Sequence, residues 1–226
     1  AVGWRNKKAR FGLLAAVLTI AVLLGAWSYR NYRVFHAFVF VSTNGGVNLL
    51  LGNSDDATSN STSDSLAMHY VEQGHSEPNE VAADRYYSQQ AKQWILHHPA
   101  RAARLYFGKL VHYFGLVDHL VSDDNSSPLV VRNVRMGIML VTWGPLLLLF
   151  FLRLALFRKF PLSFAEALFA GLYIFNAAVV SLFFTRIRFR IPMDWLLIAV
   201  DAGMVQLLLS SILAGKDRSI SSAADE

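Results

Sequence analysis

Residues 134–152 read VRMGIMLVTWGPLLLLFFL, a stretch in which Arg135 is the only charged side chain. An α-helix needs about 20 predominantly apolar residues to cross the roughly 30 Å hydrocarbon core of a membrane. Three further apolar blocks of similar length occur in the chain, at residues 11–27, 162–184 and 193–213. The sequence therefore predicts an all-α integral membrane protein with four transmembrane helices.

The composition of the whole chain agrees with this class. Of the 226 residues, 54% are hydrophobic and 16% are charged, and the mean hydropathy is +0.35. Soluble domains carry about 25% charged residues, so a disordered tail, a coiled coil and most soluble enzymes are excluded. The formal charge of +5 is explained by basic residues at helix ends, so no nucleic-acid partner is expected. The chain has no cysteine, and no two of its histidines have the spacing of metal ligands on a helix. We therefore expect neither a metal site nor a cofactor.

Basic residues beside the apolar blocks set the predicted topology. Short loops rich in Lys and Arg stay in the cytoplasm, and such residues flank the first block, link the second to the third and follow the last: Arg5, Lys7, Lys8, Arg10, Arg153, Arg158, Lys159, Lys216 and Arg218. A basic flank before an apolar block also fits a signal peptide, but Trp27 and Tyr29 after it favour a retained helix. The predicted domains are therefore a cytoplasmic flank with the first helix (1–27), an extracytoplasmic segment (28–132), a three-helix membrane bundle (133–215) and a cytoplasmic tail (216–226).

The large extracytoplasmic loop is predicted to contain interfacial amphipathic helices. One helix is expected from Val81 to His98, and Pro99 suits the first position of the next helix. On that second helix one arc is basic and the opposite side is aromatic and aliphatic, which is typical of a helix lying in the membrane interface. The basic arc consists of Arg101, Arg104, Lys109 and His112. Residues 54–80 are rich in Ser, Asp and Asn and are predicted to form a loop.

The short outer loop 185–192 reads TRIRFRIP, with three arginines and no acid. Charges on the side that topology disfavours indicate a function. In an extended segment Arg186, Arg188 and Arg190 would share one face, and guanidinium groups bind phosphate in a bidentate, permanently charged geometry. The segment therefore predicts a phosphate site, with nonspecific contact to lipid headgroups as the alternative.

A second candidate site lies at residues 42–53, which read STNGGVNLLLGN. The Gly45-Gly46 pair permits positive φ angles and close approach of the backbone to a ligand. Asn44, Asn48 and Asn53 supply uncharged amide donors and acceptors that suit sugar hydroxyl groups. The stretch therefore predicts contacts to a sugar.

Two stretches resemble the C-terminal part of a polyprenyl-phosphate-sugar-dependent glycosyltransferase: the first runs from RNYR at 30–33 to STNGGVNLLLGN at 42–53, and the second is RFRIPM at 188–193. The group is the GT-C superfamily, in its protein mannosyltransferase and lipid A aminoarabinose transferase branch. The resemblance covers most of residues 25–213. It implies inverting sugar transfer from an isoprenoid phosphate on the outer face of a cell-envelope membrane, here the bacterial inner (plasma) membrane with both termini cytoplasmic. The substrate-binding residues expected in this way are Arg30, Arg33, Asn44, Gly45, Gly46, Asn48, Asn53, Arg186, Arg188 and Arg190.

The catalytic base of that family is an acidic residue in its first outer loop, to which this chain has no counterpart. The chain is therefore expected to be the C-terminal portion of a glycosyltransferase that lacks the acidic loop, with the catalytic residue unknown. Its expected partners are an isoprenoid-phosphate lipid or lipid-linked sugar, membrane lipids, and an N-terminal half or partner transferase. Two alternatives are a noncatalytic accessory protein that presents lipid carriers to a transferase and a small lipid transporter component.

Three acids near or within the apolar blocks are assigned other roles than catalysis. Asp194 is interpreted as the ion-pair partner of Arg190 or as a cap at the start of the last helix, where negative charge is favoured. Carboxylates inside a membrane are costly. Glu166 is therefore expected to reach the interface, and Asp201 to pair inside the bundle.

Overall fold

A computed structural model describes residues 7–59, 68–115 and 129–224 of the chain. Within these ranges the secondary structure is helical and no strand occurs, so the all-α class is confirmed. Arg5 of the predicted basic flank lies outside the described residues. The helices are α1 (Lys7–Phe35), α2 (Gly45–Gly52), α3 (Met68–His75), α4 (Glu80–His97), α5 (Pro99–Tyr113), α6 (Leu129–Ala155), α7 (Phe164–Val180), α8 (Ile187–Arg190), a 3-10 turn (Ile191–Met193) and α9 (Asp194–Ala224).

Three helical stretches in the described part of the chain are long and apolar enough to cross a membrane. They cover Arg10–Phe35 in α1, Leu129–Ala155 in α6 and Arg188–Leu213, which runs from α8 into α9. Most of their side chains are exposed, which is expected where the surrounding solvent is lipid. These helices are compatible with an integral membrane protein.

The fourth predicted span corresponds to α7, which is shorter than expected. Its 17 residues give a length of about 26 Å, less than the roughly 30 Å of the hydrocarbon core. The helix begins at Phe164 because Ser163 caps it: the Ser163 hydroxyl accepts from the Glu166 N–H at 3.2 Å, and Glu166 accepts from the Ser163 N–H at 2.7 Å. The count of four spans stays a prediction.

The helices predicted around Pro99 are confirmed, whereas two others were missed. The helix predicted over 81–98 is α4, and Pro99 occupies the start of α5. Part of the predicted loop 54–80 is helical, because it contains α3. The Asn- and Gly-containing stretch at 42–53, expected to turn, contains α2.

The chain divides into two compact units, one of residues 1–50 and 67–94 and the other of residues 51–66 and 95–226. In the first unit, His36 adopts a φ of 51°, and the chain after it returns along α1. Side chains of α1 hold this return segment: Trp27 Nε1 donates to the Val41 carbonyl at 2.9 Å, and Asn31 Nδ2 donates to the Val39 carbonyl at 3.2 Å. In the same unit, an apolar cluster buries Leu50, Tyr87 and Ala91 between α2 and α4.

In the second unit α9 packs against both α6 and α7. The core of this unit is apolar and aromatic, and its fully buried members include Phe150 on α6, Tyr173 and Ala177 on α7, and Leu197 and Val200 on α9. The three helices predicted to form a membrane bundle therefore share one core. This core positions the link between α7 and α9, which carries the three arginines.

Candidate functional site

The arginine segment between α7 and α9 is helical rather than extended. Residues 187–190 form α8, and the Phe189 N–H donates to the Arg186 carbonyl at 3.0 Å. Residues two apart in a helix are separated by about 200° around its axis, so Arg188 and Arg190 do not share one face of this segment. The predicted extended arrangement with three arginines on one face is therefore wrong. The physical reason is that Pro192 suits a helix start and the turn 191–193 leads directly into α9.

Arg190 lies in the protein interior, with 3% of its surface exposed. Its Nη1 donates to the carbonyl oxygens of Tyr113 and Gly115, each at 3.2 Å. Its guanidinium carbon lies 3.8 Å from the centre of the Trp143 ring, a cation–π contact. Through these contacts Arg190 joins the end of α5 to α6. Its ion pair with Asp194 also joins it to the start of α9.

Asp194 completes this buried network. Its Oδ1 lies 3.5 Å from Arg190 Nε and accepts from the Tyr173 hydroxyl at 3.1 Å. The interpretation of Asp194 as the partner of Arg190 is thus confirmed. The pair was predicted from the position of Asp194 beside the arginines at the start of the last helix, whereas the tyrosine that joins it comes from another helix and left no such signal.

Arg186 and Arg188 are arranged differently from Arg190, because each is stacked on a phenylalanine. The Arg186 guanidinium carbon lies 5.2 Å from the centre of the Phe184 ring, and that of Arg188 lies 5.1 Å from the Phe189 ring. The two rings touch edge to face, with centroids 5.5 Å apart. Arg186 is half-buried and Arg188 is exposed. We call these four residues the arginine–phenylalanine cluster; it lies where the Arg188–Leu213 span begins.

Lys109 was predicted on the basic arc of α5 but points inward. Its side chain is 1% exposed, and its Nζ donates to the Phe183 carbonyl at 2.7 Å and to the Gly52 carbonyl at 3.0 Å. Burial lowers the pKa of Lys109 from 10.5 to about 8. The buried face of α5 consists of Ala102, Leu105, Lys109 and Tyr113. The basic arc is therefore corrected: Lys109 belongs to the buried face, while Arg101 and Arg104 remain exposed.

Asn53, predicted to bind sugar, also contacts the end of α7. Its Nδ2 donates to the Leu182 carbonyl at 2.9 Å, and the residue is 4% exposed. A Cβ on Gly52 would overlap the Phe183 carbonyl oxygen, so the glycine allows this close approach. Gly52 and Asn53 therefore pack inside the protein against the residues that follow α7.

Gly45 and Gly46 open α2 in the first unit, and no glycine in the described ranges has a positive φ. The positive φ angles that this pair permits are therefore not adopted. The close approach is made by protein instead: the Gly46 N–H donates to Asp84 Oδ1 at 2.6 Å, and a Cβ on Gly46 would overlap the Asp84 carbonyl oxygen. Asn44 lies at the edge of an open cleft of about 430 Å³ that Glu80 and Asp84 also line. Asn48 is half-buried on α2.

Arg30 and Arg33 lie at the end of the span in α1, where both are exposed. The Arg30 guanidinium carbon is 5.5 Å from the centre of the Trp27 ring, and that of Arg33 is 6.0 Å from the Tyr29 ring. Arg30 and Arg33 belong to the first unit together with residues 44–48, whereas the three later arginines and Asn53 belong to the second. Joint action of the two groups stays a prediction.

Two further charged residues, Arg153 and Asp201, are buried within the helical bundle. Arg153 Nε pairs with Glu166 Oε1 at 2.8 Å, so Glu166 is held by the protein. Asp201 is 3% exposed, and neither of its carboxylate oxygens has a hydrogen-bond partner among the described residues. The predicted pairing of Asp201 is wrong there, because the core around α9 is mainly apolar.

Comparison of the chain with protein-family profiles, curated protein sequences and solved structures gives no match.

Proposed function

We propose that the chain is a glycosyltransferase-like membrane module that binds an isoprenoid phosphate, free or carrying a sugar, on the outer face of the membrane. The observation that carries this proposal is the arginine–phenylalanine cluster at the start of a helical stretch long and apolar enough to cross a membrane. In this proposal Arg186 and Arg188 bind the phosphate, and Arg190 supports them from the interior.

The chemistry of the cluster suits a phosphate group. Guanidinium groups remain charged at all physiological pH values and offer planar, paired N–H donors to phosphate oxygens. Stacking on Phe184 and Phe189 limits the freedom of the two side chains before a ligand arrives, so less conformational entropy is lost on binding. The Phe184 and Phe189 rings touch, so the two stacked cations are linked through one aromatic pair.

The surface next to Arg188 suits an isoprenoid tail. Ile191, Trp195 and Ile198 follow Arg188 at helical spacing, and each of the three is at least half exposed. Residues three and four apart lie on one face of a helix. A lipid whose phosphate contacts Arg188 would therefore find an apolar stripe along the first turns of α9.

The predicted topology supports the choice of the outer face. The link between α6 and α7 contains Arg158 and Lys159, both exposed, and basic links of this kind remain in the cytoplasm. One crossing by α7 would then bring the arginine–phenylalanine cluster to the opposite side. Arginines are unusual on that side; Arg190 is paired inside the protein, and a bound lipid phosphate would account for Arg186 and Arg188.

Sugar transfer itself needs a group that this proposal takes from elsewhere. Asp194 is paired with Arg190 and Tyr173, so it is assigned a structural role. A complete enzyme would obtain its acidic residue from an N-terminal half or a partner transferase. Without that part, the module would act as the accessory protein considered as an alternative, which presents the lipid carrier.

The test is binding of a short isoprenyl monophosphate to the purified protein in nanodiscs, with the corresponding isoprenyl alcohol as reference. Removing one bidentate arginine should weaken binding of the phosphate by about 2 kcal/mol, or roughly thirtyfold, in Arg186→Ala and in Arg188→Ala. Lysine at either position should restore only part of the affinity, because an ammonium group lacks the planar pair of donors.

Arg158→Ala is the matched control, because Arg158 is also exposed and also stacks on a neighbouring ring, that of Phe157 at 5.9 Å. This variant should bind the phosphate as the parent does. Equal affinity of the parent and both alanine variants would refute the proposal. Equal competition by an ordinary anionic phospholipid would show a nonspecific headgroup contact instead.

A further inference from the structure

Among the described residues, the buried ammonium group of Lys109 donates to backbone carbonyls and not to a carboxylate. Its two observed acceptors are the backbone carbonyls of Phe183 at 2.7 Å and Gly52 at 3.0 Å. Phe183 lies just beyond α7, which ends at Val180. Its carbonyl is an acceptor that needs a partner once it is buried, and the Lys109 ammonium group supplies one.

The bond from Lys109 fixes the backbone immediately before the arginine–phenylalanine cluster. Phe183 is followed by Phe184, whose ring stacks with Arg186 at 5.2 Å and touches Phe189 at 5.5 Å. Asn53 fixes the preceding residue through the Leu182 carbonyl at 2.9 Å. The orientation of the Phe184 ring therefore depends on a backbone held by two buried donors.

The other end of the same link is held by the same helix. Arg190 donates to the carbonyls of Tyr113 and Gly115, at the end of α5, while Lys109 lies one turn earlier on α5. The link from Phe183 to Arg190 is thus attached to α5 at both ends. Between the two attachments lie Arg186 and Arg188.

We infer that Lys109 is a positioning residue for the phosphate site, acting through the Phe183 carbonyl on the ring that carries Arg186. This inference rests on the proposed function, because it names what holds that site in place. Lys109 itself does not reach a ligand, since its side chain is 1% exposed. An error of about 1 Å in the placement of binding groups can cost as much as a hundredfold in function, so a lost anchor should be measurable as lost affinity.

The experiment uses the full chain in phosphatidylcholine nanodiscs, with a short isoprenyl monophosphate as the probe. Lys109→Met fills the same space without donors and should bind the probe about tenfold more weakly. Lys109→Gln retains an amide donor for the carbonyls and should recover part of that loss. Lys92→Met removes an exposed lysine from α4 and should bind as the parent does.

A double-mutant cycle separates positioning from general loss of stability. If Lys109 acts through Arg186, Lys109→Met should cause little further loss of binding once Arg186→Ala is present, because the interacting group is gone. The same cycle with Lys109→Gln covers the case in which Lys109→Met does not fold, as judged by its thermal unfolding in detergent.

The outcomes distinguish the two ideas. If both arginine variants lose affinity while folded Lys109→Met and Lys109→Gln bind like the parent, the positioning role is refuted and the phosphate site stands. Equal losses from the Lys109 substitution in the parent and in Arg186→Ala also refute the positioning role. If the arginine variants bind like the parent, the proposed function fails, and the inference fails with it.

Discussion

Two adjacent glycines, Gly45 and Gly46, have different surroundings, which their residue type alone does not distinguish. The Gly46 N–H donates to Asp84 Oδ1 at 2.6 Å, and a Cβ at Gly46 would overlap the Asp84 carbonyl oxygen. Around the Cβ position of Gly45 no atom lies within 4 Å. Only Gly46 is therefore required by packing, and the partner that requires it is α4 of the same unit.

Substitution of the two glycines by alanine should thus have opposite effects. Gly46→Ala should destabilise the protein by about 1–3 kcal/mol, the usual cost of overpacking, because the obstacle is backbone. Gly45→Ala should be neutral or stabilising by up to about 1 kcal/mol, since alanine has less freedom to lose in the unfolded chain. Thermal unfolding of both variants in detergent measures the difference, and equal Tm values would contradict it.

Lys109 should make the stability of the protein depend on alkaline pH. Its pKa in the folded protein is lowered from 10.5 to about 8 by burial, so between these values the unfolded chain binds more protons than the folded protein. Stability therefore rises with pH through this window, by up to about 3 kcal/mol from this group. Below pH 8 the cost of burying the charge is present in full.

The measurement is the Tm difference between the parent and Lys109→Met from pH 7 to pH 10.5, since other titrating groups cancel in the difference. The parent should gain stability relative to the variant as the pH rises. A difference that stays constant, or that moves the other way, would show that the lysine is not buried as described.

The three arginines illustrate which part of a site can be predicted from residue types. Their charge and their place beside an apolar block are properties of the sequence and pointed to the link 185–192. Their faces depend on whether that link is extended or helical, and a four-residue helix such as α8 is too short to show a period. The interior place of Arg190 also depends on the Trp143 ring, which comes from α6.

At the scale of elements, the long helices were predicted because their signal lies in the helices themselves. Runs of apolar residues indicated α1, α6 and α9, and Pro99 marked the boundary between α4 and α5. The short helices α2 and α3 were missed because isolated helices of eight residues are not stable in water without tertiary contacts. For α2 those contacts are with Tyr87 and Ala91 of α4.

Helix α5 should lie in the membrane interface with a specific side toward lipid. Phe107 and Val111 are 63% and 73% exposed and lie four residues apart, hence on one face, while Ala102 and Leu105 are buried. Spin labels at 107 and 111 should collide with oxygen dissolved in the lipid. A label at Arg101, which lies about 120° from Phe107 around the helix, should respond more to a polar relaxation agent in water. A steady increase in depth along the helix would indicate a span instead.

At the scale of the whole molecule, the predicted topology can be tested by single cysteines because the chain has none of its own. Ser76 and Lys159 are both exposed, and the positive-inside rule predicts that they lie on opposite sides of the membrane. An impermeant thiol reagent should label Ser76→Cys in intact cells and Lys159→Cys only after lysis. Labelling of both sites, or of the second alone, before lysis would overturn the topology and the outer location of the phosphate site.

For the whole molecule, the sequence predicted the long apolar helices but not the division of the chain into two compact units. Hydropathy is a sum over many residues, so the membrane class and three long apolar helices follow from it. The division of residues 28–132 between two compact units depends on contacts between distant parts of the chain, such as that of Asn53 with the Leu182 carbonyl. No local pattern records such a contact.

The carboxylate of Asp201, which has no hydrogen-bond partner in the described part of the chain, has a consequence for the biogenesis of the protein. An aspartate near the centre of a helix costs about 2.5–3.5 kcal/mol when the translocon passes that helix into lipid. The window of mean hydropathy 2.0 in Arg188–Leu213 offsets this cost, and burial against α6 and α7 then removes the acid from lipid. The last span should therefore insert most efficiently when α6 and α7 are already in the membrane and can pack against it.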